Sequence, residues 1–264
     1  MKFKAVRGNV FHTDFKLVNN RPVIVFVNSL GCDFRIWDVI IERIKGKYSI
    51  LRYDSRGQGL SGEGEPPYSM RDHALDLQGL IDAFHEPGTP LVICGLSIGG
   101  QIVMEYALDS LCRADGIILC DTAPRIGSAE RYEARIKTIR NGGMKSFAAA
   151  QMPRWFSRSF LTSHPEAVRG MYAMLTRQPL EGYIGSCRAI AGSDYQNRLR
   201  DIHLPALCIA GSEDESTPPE TVMELAENLP RGVYREIPGA GHLPCIEAPD
   251  EFAAVISGFM EDLF

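Results

Sequence analysis

Six short, mostly apolar runs mark the chain, at 23–27, 48–53, 91–94, 116–120, 206–210 and 233–237. A strand with one face in water alternates apolar and polar residues; an unbroken run fits a strand covered on both faces, as in a parallel sheet. Residues 2–6 and 10–18 do alternate, and they predict an antiparallel pair at the N-terminus. Between the runs lie stretches of helical period. The clearest is 69–84, with Met70, Ala74, Leu77, Leu80, Ile81 and Phe84 on one side; 98–108, 221–229 and 251–264 are the others. Strands alternating with helices predict an α/β fold: a mostly parallel, eight-stranded sheet with helices on both faces.

The alternation stops between residues 124 and 203. That stretch has helical character, offers no convincing strand and is rich in arginine, including Arg125, Arg131, Arg135, Arg140, Arg154, Arg158, Arg169, Arg177 and Arg188. The sheet pattern resumes at Leu204-Pro205-Ala206-Leu207. The expectation is one core, 1–123 and 204–264, with a helical cap at 124–203 inserted after the sixth strand.

Composition narrows the function classes. The 264 residues are 45% hydrophobic, enough to bury a full core. The net charge is -5, and no block of five or six like charges occurs, which argues against a nucleic-acid or membrane-surface partner. No apolar run nears the ~20 residues of a membrane span, and the first ten residues lack an apolar signal core. The seven cysteines (Cys32, Cys94, Cys112, Cys120, Cys187, Cys208 and Cys245) include no C-x-x-C pair and are odd in number. They read as buried free thiols of a cytoplasmic protein. Nothing in the sequence bears on oligomeric state.

The candidate chemistry starts at Leu91-Val92-Ile93-Cys94-Gly95-Leu96-Ser97-Ile98-Gly99-Gly100. An apolar strand runs into G-x-S-x-G and then into a helix. That context predicts a sharp turn presenting Ser97 as a nucleophile, with Gly95 and Gly99 allowing close backbone approach. A nucleophilic serine needs a base. Of six histidines, His242 stands out, because Gly239-Ala240-Gly241-His242 follows the last strand and can reach the sheet's upper edge. The acid that orients the imidazole is read as Asp214, in Gly211-Ser212-Glu213-Asp214-Glu215-Ser216-Thr217-Pro218 just past the seventh strand. Asp121, ending the sixth strand, is its rival, and Glu213 and Glu215 are less suitably placed neighbours. Two backbone N–H groups are expected to form an oxyanion hole: Ile98, next to the nucleophile, and Leu30, in Asn28-Ser29-Leu30-Gly31 after the third strand.

With these segments in hand, the chain resembles the 3-oxoadipate enol-lactonases of the α/β-hydrolase superfamily over nearly its whole length. The resemblance rests on Asn28-Ser29-Leu30-Gly31 with Trp37-Asp38, Asp54-Ser55-Arg56-Gly57-Gln58-Gly59, the Ser97 elbow, Arg154-Trp155-Phe156, Gly182-Tyr183 and Gly241-His242-Leu243. Gln58 departs from the family, where His is usual, and Asp121 stands where Asn is more common. The resemblance implies a five-membered enol-lactone with a carboxymethyl arm, opened through an acyl-enzyme with no metal or cofactor. An anionic lactone calls for a cation in the pocket. Arg154 is the choice for it, with Trp155 beside it as a pocket wall or a packing residue. An esterase, thioesterase or cofactor-free perhydrolase would use the same triad, and a ligand receptor would keep the pocket without turnover.

Overall fold

The computed structural model describes residues 2–264. Eight strands form one sheet: β1 (Lys2–Val6), β2 (Asn9–Lys16), β3 (Val23–Val27), β4 (Ser49–Tyr53), β5 (Leu91–Leu96), β6 (Gly116–Cys120), β7 (Ala206–Gly211) and β8 (Gly232–Ile237). Their order is β1-β2-β4-β3-β5-β6-β7-β8. β1 and β2 pair antiparallel, β2 joins β4 antiparallel, and every later pairing is parallel. All residues of β3 through β7 are buried, as expected of mostly apolar strands covered on both faces. β8, at the sheet's edge, is the exception. It exposes alternate residues, and Val233 lies 42% open to solvent.

The helices are α1 (Asp38–Arg43), α2 (Met70–Phe84), α3 (Ile98–Ala107), α4 (Ala129–Trp155), α5 (Arg158–Ser163), α6 (Pro165–Thr176), α7 (Leu180–Ala191), α8 (Pro219–Asn228), α9 (Pro244–Glu247) and α10 (Pro249–Leu263). α2 packs on α3, and α1 on α10. Ser69 caps α2: its hydroxyl accepts from Asp72 N–H while the Asp72 carboxylate accepts from Ser69 N–H. Such a reciprocal box satisfies two donors that a helix start otherwise strands.

α4 to α7 all lie between β6 and β7. α4 is broken at Gly143, whose φ of +73° and ψ of 169° no helix tolerates. α7 docks on the loop after β4 so closely that a Cβ on Gly182 would strike the Gly57 carbonyl. Among the described residues, no helix is long and apolar enough to cross a membrane.

Candidate active site

The carboxyl ends of β5, β6, β7 and β8 carry Ser97, Asp121, Asp214 and His242 in that order, so parallel neighbours bring all four to one edge of the sheet. Ser97 joins β5 to α3 with φ +58° and ψ -116°, a conformation that costs on the order of 1–3 kcal/mol for a residue with a side chain. The surrounding backbone enforces it. Ser97 N–H donates to Cys120 O at 2.9 Å, and Thr122 Oγ1 donates to Ser97 O at 2.7 Å. A Cβ on Gly95 would strike the Gly99 carbonyl, and one on Gly99 the Val27 carbonyl. Both elbow glycines are therefore required by contact.

His242 Nδ1 lies 2.8 Å from Asp214 Oδ2, which places a proton on Nδ1 and leaves the opposite ring nitrogen free to accept one. Asp214 also accepts from Thr217 Oγ1 at 2.7 Å, Ser216 N at 2.7 Å and Thr217 N at 3.2 Å. Burial would push this carboxyl up, but the His242 charge and these donors outweigh it and hold Asp214 below its ordinary value. Asp121 is fully buried; its Oδ1 accepts from Gly211 N at 2.8 Å, and Oδ2 has no partner. Burial first, then the neighbouring Asp214 charge, drives Asp121 well above the usual carboxylate range. The acid in contact with the imidazole is thus Asp214. One ligand atom each from Asp121, Asp214 and His242 lie within 4.8 Å of one another, a spacing that could hold a metal ion. Here the Nδ1–H···Oδ2 bond already engages both atoms of the His242–Asp214 pair.

Ser97 and His242 line one narrow cavity, and their direct hydrogen bond is not formed in this conformation. Such contacts are often long before substrate arrives. Leu30 also lines the cavity. Among the described residues, neither Leu30 N–H nor Ile98 N–H donates to a protein acceptor, so both donors are available to an oxyanion. The Leu30 loop is held from both sides: Asn28 Nδ2 donates to Tyr53 O at 2.8 Å, Trp37 Nε1 donates to Asn28 Oδ1 at 2.8 Å, and Gly31 N–H donates to Gln58 Oε1 at 2.7 Å.

Trp155 is buried and lines the cavity. Arg154, its neighbour on α4, does not: its guanidinium turns away to the Glu215 carbonyl at 3.5 Å, since consecutive helix positions point about 100° apart. The cavity's cations are Arg131 and Arg135, one turn apart on α4. Arg135 is half-buried, stacks over Tyr132 and Phe147 at 5.0 and 5.3 Å, and pairs with no carboxylate among the described residues. Burial pushes against its charge, yet the Tyr183 and Tyr132 hydroxyls facing it hold the guanidinium above its ordinary value. Arg131 is pulled down, by burial and then by the like charges of Arg154 and Arg135.

Two further residues carry the site without a motif to announce them. Glu247, on α9, accepts from Gly241 N at 2.8 Å, Ser157 N at 3.0 Å and Ser157 Oγ at 2.6 Å. It ties the His242 loop to the start of α5. Gln151 on α4 is buried in the cavity wall. No local signal marks Glu247, because its three donors come from residues six and ninety positions away.

Residues 24–255 match the alpha/beta hydrolase family. The 3-oxoadipate enol-lactonase 2 of Acinetobacter baylyi is 31% identical over 242 residues, which cover 92% of this chain and 90% of that protein. The crystal structure of the enol-lactonase from Burkholderia xenovorans superposes with a TM-score of 0.92 at 32% identity, covering 98% of this chain and 100% of that one. A thermophilic esterase from Thermogutta terrifontis, solved with malate bound, gives 0.91 at 27% identity, covering 99% and 97%. The match over most of the length, on a sheet that brings Ser97, Asp214 and His242 to one edge, means that the chain belongs to the alpha/beta hydrolase family, as a relative of the 3-oxoadipate enol-lactonases.

Proposed function

We propose that this protein opens 3-oxoadipate enol-lactone to 3-oxoadipate, with Ser97 as nucleophile, His242 as base and Asp214 as the acid that orients it. One observation carries the choice of an anionic substrate. The cavity holding Ser97 and His242 is lined by two arginines and by no carboxylate, in a chain of net charge -5. A guanidinium offers a planar fork to a carboxylate, and Arg135, stacked between rings and unpaired, is pre-set to provide it. Arg135, seconded by Arg131, therefore replaces Arg154 as the anchor for the carboxymethyl arm, and Trp155 forms a wall of the pocket.

The steps follow from the positions. Ser97 Oγ attacks the ring carbonyl as His242 takes its proton, and Asp214 stabilises the imidazolium through Nδ1–H. The N–H groups of Leu30 and Ile98 receive the oxyanion. Collapse breaks the ring C–O bond, and His242 returns the proton to the departing enol oxygen, which then ketonises. Water, deprotonated by His242, attacks the acyl-enzyme; collapse frees the second carboxylate and restores the Ser97 hydroxyl. None of these steps calls on a metal or cofactor.

On this reading residues 124–203 act as a cap over a core of 1–123 and 204–264, supplying Arg131, Arg135 and Trp155 to the site. Seven free cysteines, six of them buried, suit a reducing, cytoplasmic setting. The esterase likeness favours simple ester hydrolysis as the second reading. Assaying the purified protein on the enol-lactone beside p-nitrophenyl acetate separates the two. The proposal expects faster turnover of the lactone, lost in Ser97→Ala; turnover of the simple ester alone would transfer the assignment to an esterase.

A further inference from the structure

The mechanism uses one carboxylate, yet two meet behind His242. Asp121 and Asp214 each bring a carboxylate oxygen to within 4.8 Å of the other and of a His242 ring nitrogen. Two ionised carboxylates so close repel strongly, so the pair holds one proton. The donors decide where it sits. Asp214 receives four hydrogen bonds, from His242, Thr217 Oγ1, Ser216 N and Thr217 N, and is solvated as an anion. Asp121 receives one, on Oδ1 from Gly211 N, while Oδ2 is sealed from water with no donor aimed at it. A bare anionic oxygen there would be costly; a protonated one becomes a donor beside the Asp214 carboxylate.

We propose that Asp121 is a positioning residue: its carboxyl keeps a proton on Oδ2 and donates it to Asp214, buttressing the acid that orients His242. It rests on the triad reading above, and it goes beyond it by giving the rival acid a different task. Apart from His242, whose Nδ1 is bonded to Asp214, the titratable groups around Asp121 are acids or thiols, namely Glu247 on α9, Tyr234 on β8, Cys120 on β6 and Cys245 on α9. Asp121 also sits at φ +44°, a left-handed position that Asp and Asn tolerate better than most residues. An Asn there supplies an N–H in place of the O–H without disturbing the backbone.

Infrared difference spectroscopy of the resting enzyme against Asp121→Asn, at neutral pH, reads the proton directly. The expected result is a neutral-carboxyl C=O band, above the carboxylate bands and shifted in heavy water, present in the wild type and missing in the variant. Titration of the His242 ring by NMR supplies the second readout. A neutral Asp121 predicts that Asn leaves the His242 midpoint in place. An ionised one predicts a fall of about one pH unit, a tenfold loss of proton affinity. The third is kinetic: Asp121→Leu should lower kcat by roughly tenfold or more with little change in KM, and Asp121→Asn should recover most of that loss. Absence of the band, a shifted His242 midpoint, or Asn no better than Leu would each overturn the proposal. The spectroscopic readouts need no substrate, so they stand or fall separately from the lactone assignment.

Discussion

Each residue in the site is defined by what it gives to its neighbour. Ser97→Ala and His242→Ala remove groups that act as a unit, so each should lower kcat by on the order of 10⁴-fold or more in a steady-state assay. Asp214→Asn should be comparably severe, because an amide facing Nδ1 favours the wrong tautomer. The two carboxyls also set opposite pH trends. Asp214 is held low, so its stabilisation is present above about pH 4 and is lost as pH falls through its folded value. Asp121 is held high: the folded state binds its proton more tightly than the unfolded chain, so it costs stability increasingly as pH rises from about 4 to its folded value. Thermal unfolding across pH should therefore show Asp121→Asn gaining on the wild type as pH rises; parallel curves would mean that Asp121 titrates normally. Ser97, His242 and Asp214 were legible because each follows a readable strand. Arg135 was not, since eleven arginines in residues 124–203 look alike until packing against Tyr132, Phe147 and Tyr183 selects one.

At the scale of elements, glycines fix how closely the pieces approach. α7 carries Tyr183 into the cavity wall, and Gly182, one residue earlier, rests on Gly57 in the loop after β4. Gly182→Ala must push these two backbones apart. Overpacking of this kind typically costs about 1–3 kcal/mol, which urea unfolding would measure, and KM should rise as the cavity wall shifts. An unchanged unfolding midpoint would show that α7 yields freely. The mostly apolar runs made β3 to β7 readable, because covering both faces leaves a simple trace in sequence. The inserted helices were readable only as a helical stretch. α4 is largely polar around its circumference and bends at Gly143, so periodicity gave neither its break nor its inner face. Glu247 shows the same limit: a carboxylate clasping Gly241 and Ser157 exists only after distant segments meet.

Across the whole molecule, net charge and local charge have opposite signs. The chain carries -5, but its cavity presents Arg131 and Arg135, with Arg154 close enough to be felt by Arg131. A cationic cleft in an anionic body draws anions inward and keeps them from the remaining surface. Turnover of the anionic lactone, expressed as kcat/KM, should fall as salt rises toward ~1 M, where the screening length is about 3 Å, while a neutral ester should respond little. The most direct test of the account compares kcat/KM on the enol-lactone with that on p-nitrophenyl acetate, in the wild type and in Arg135→Gln. A charge-assisted contact of about 1.5–3 kcal/mol predicts that the lactone-to-ester ratio drops roughly 10- to 150-fold. Equal losses on both substrates would contradict it, leaving Arg135 a packing residue and the anionic substrate without its anchor.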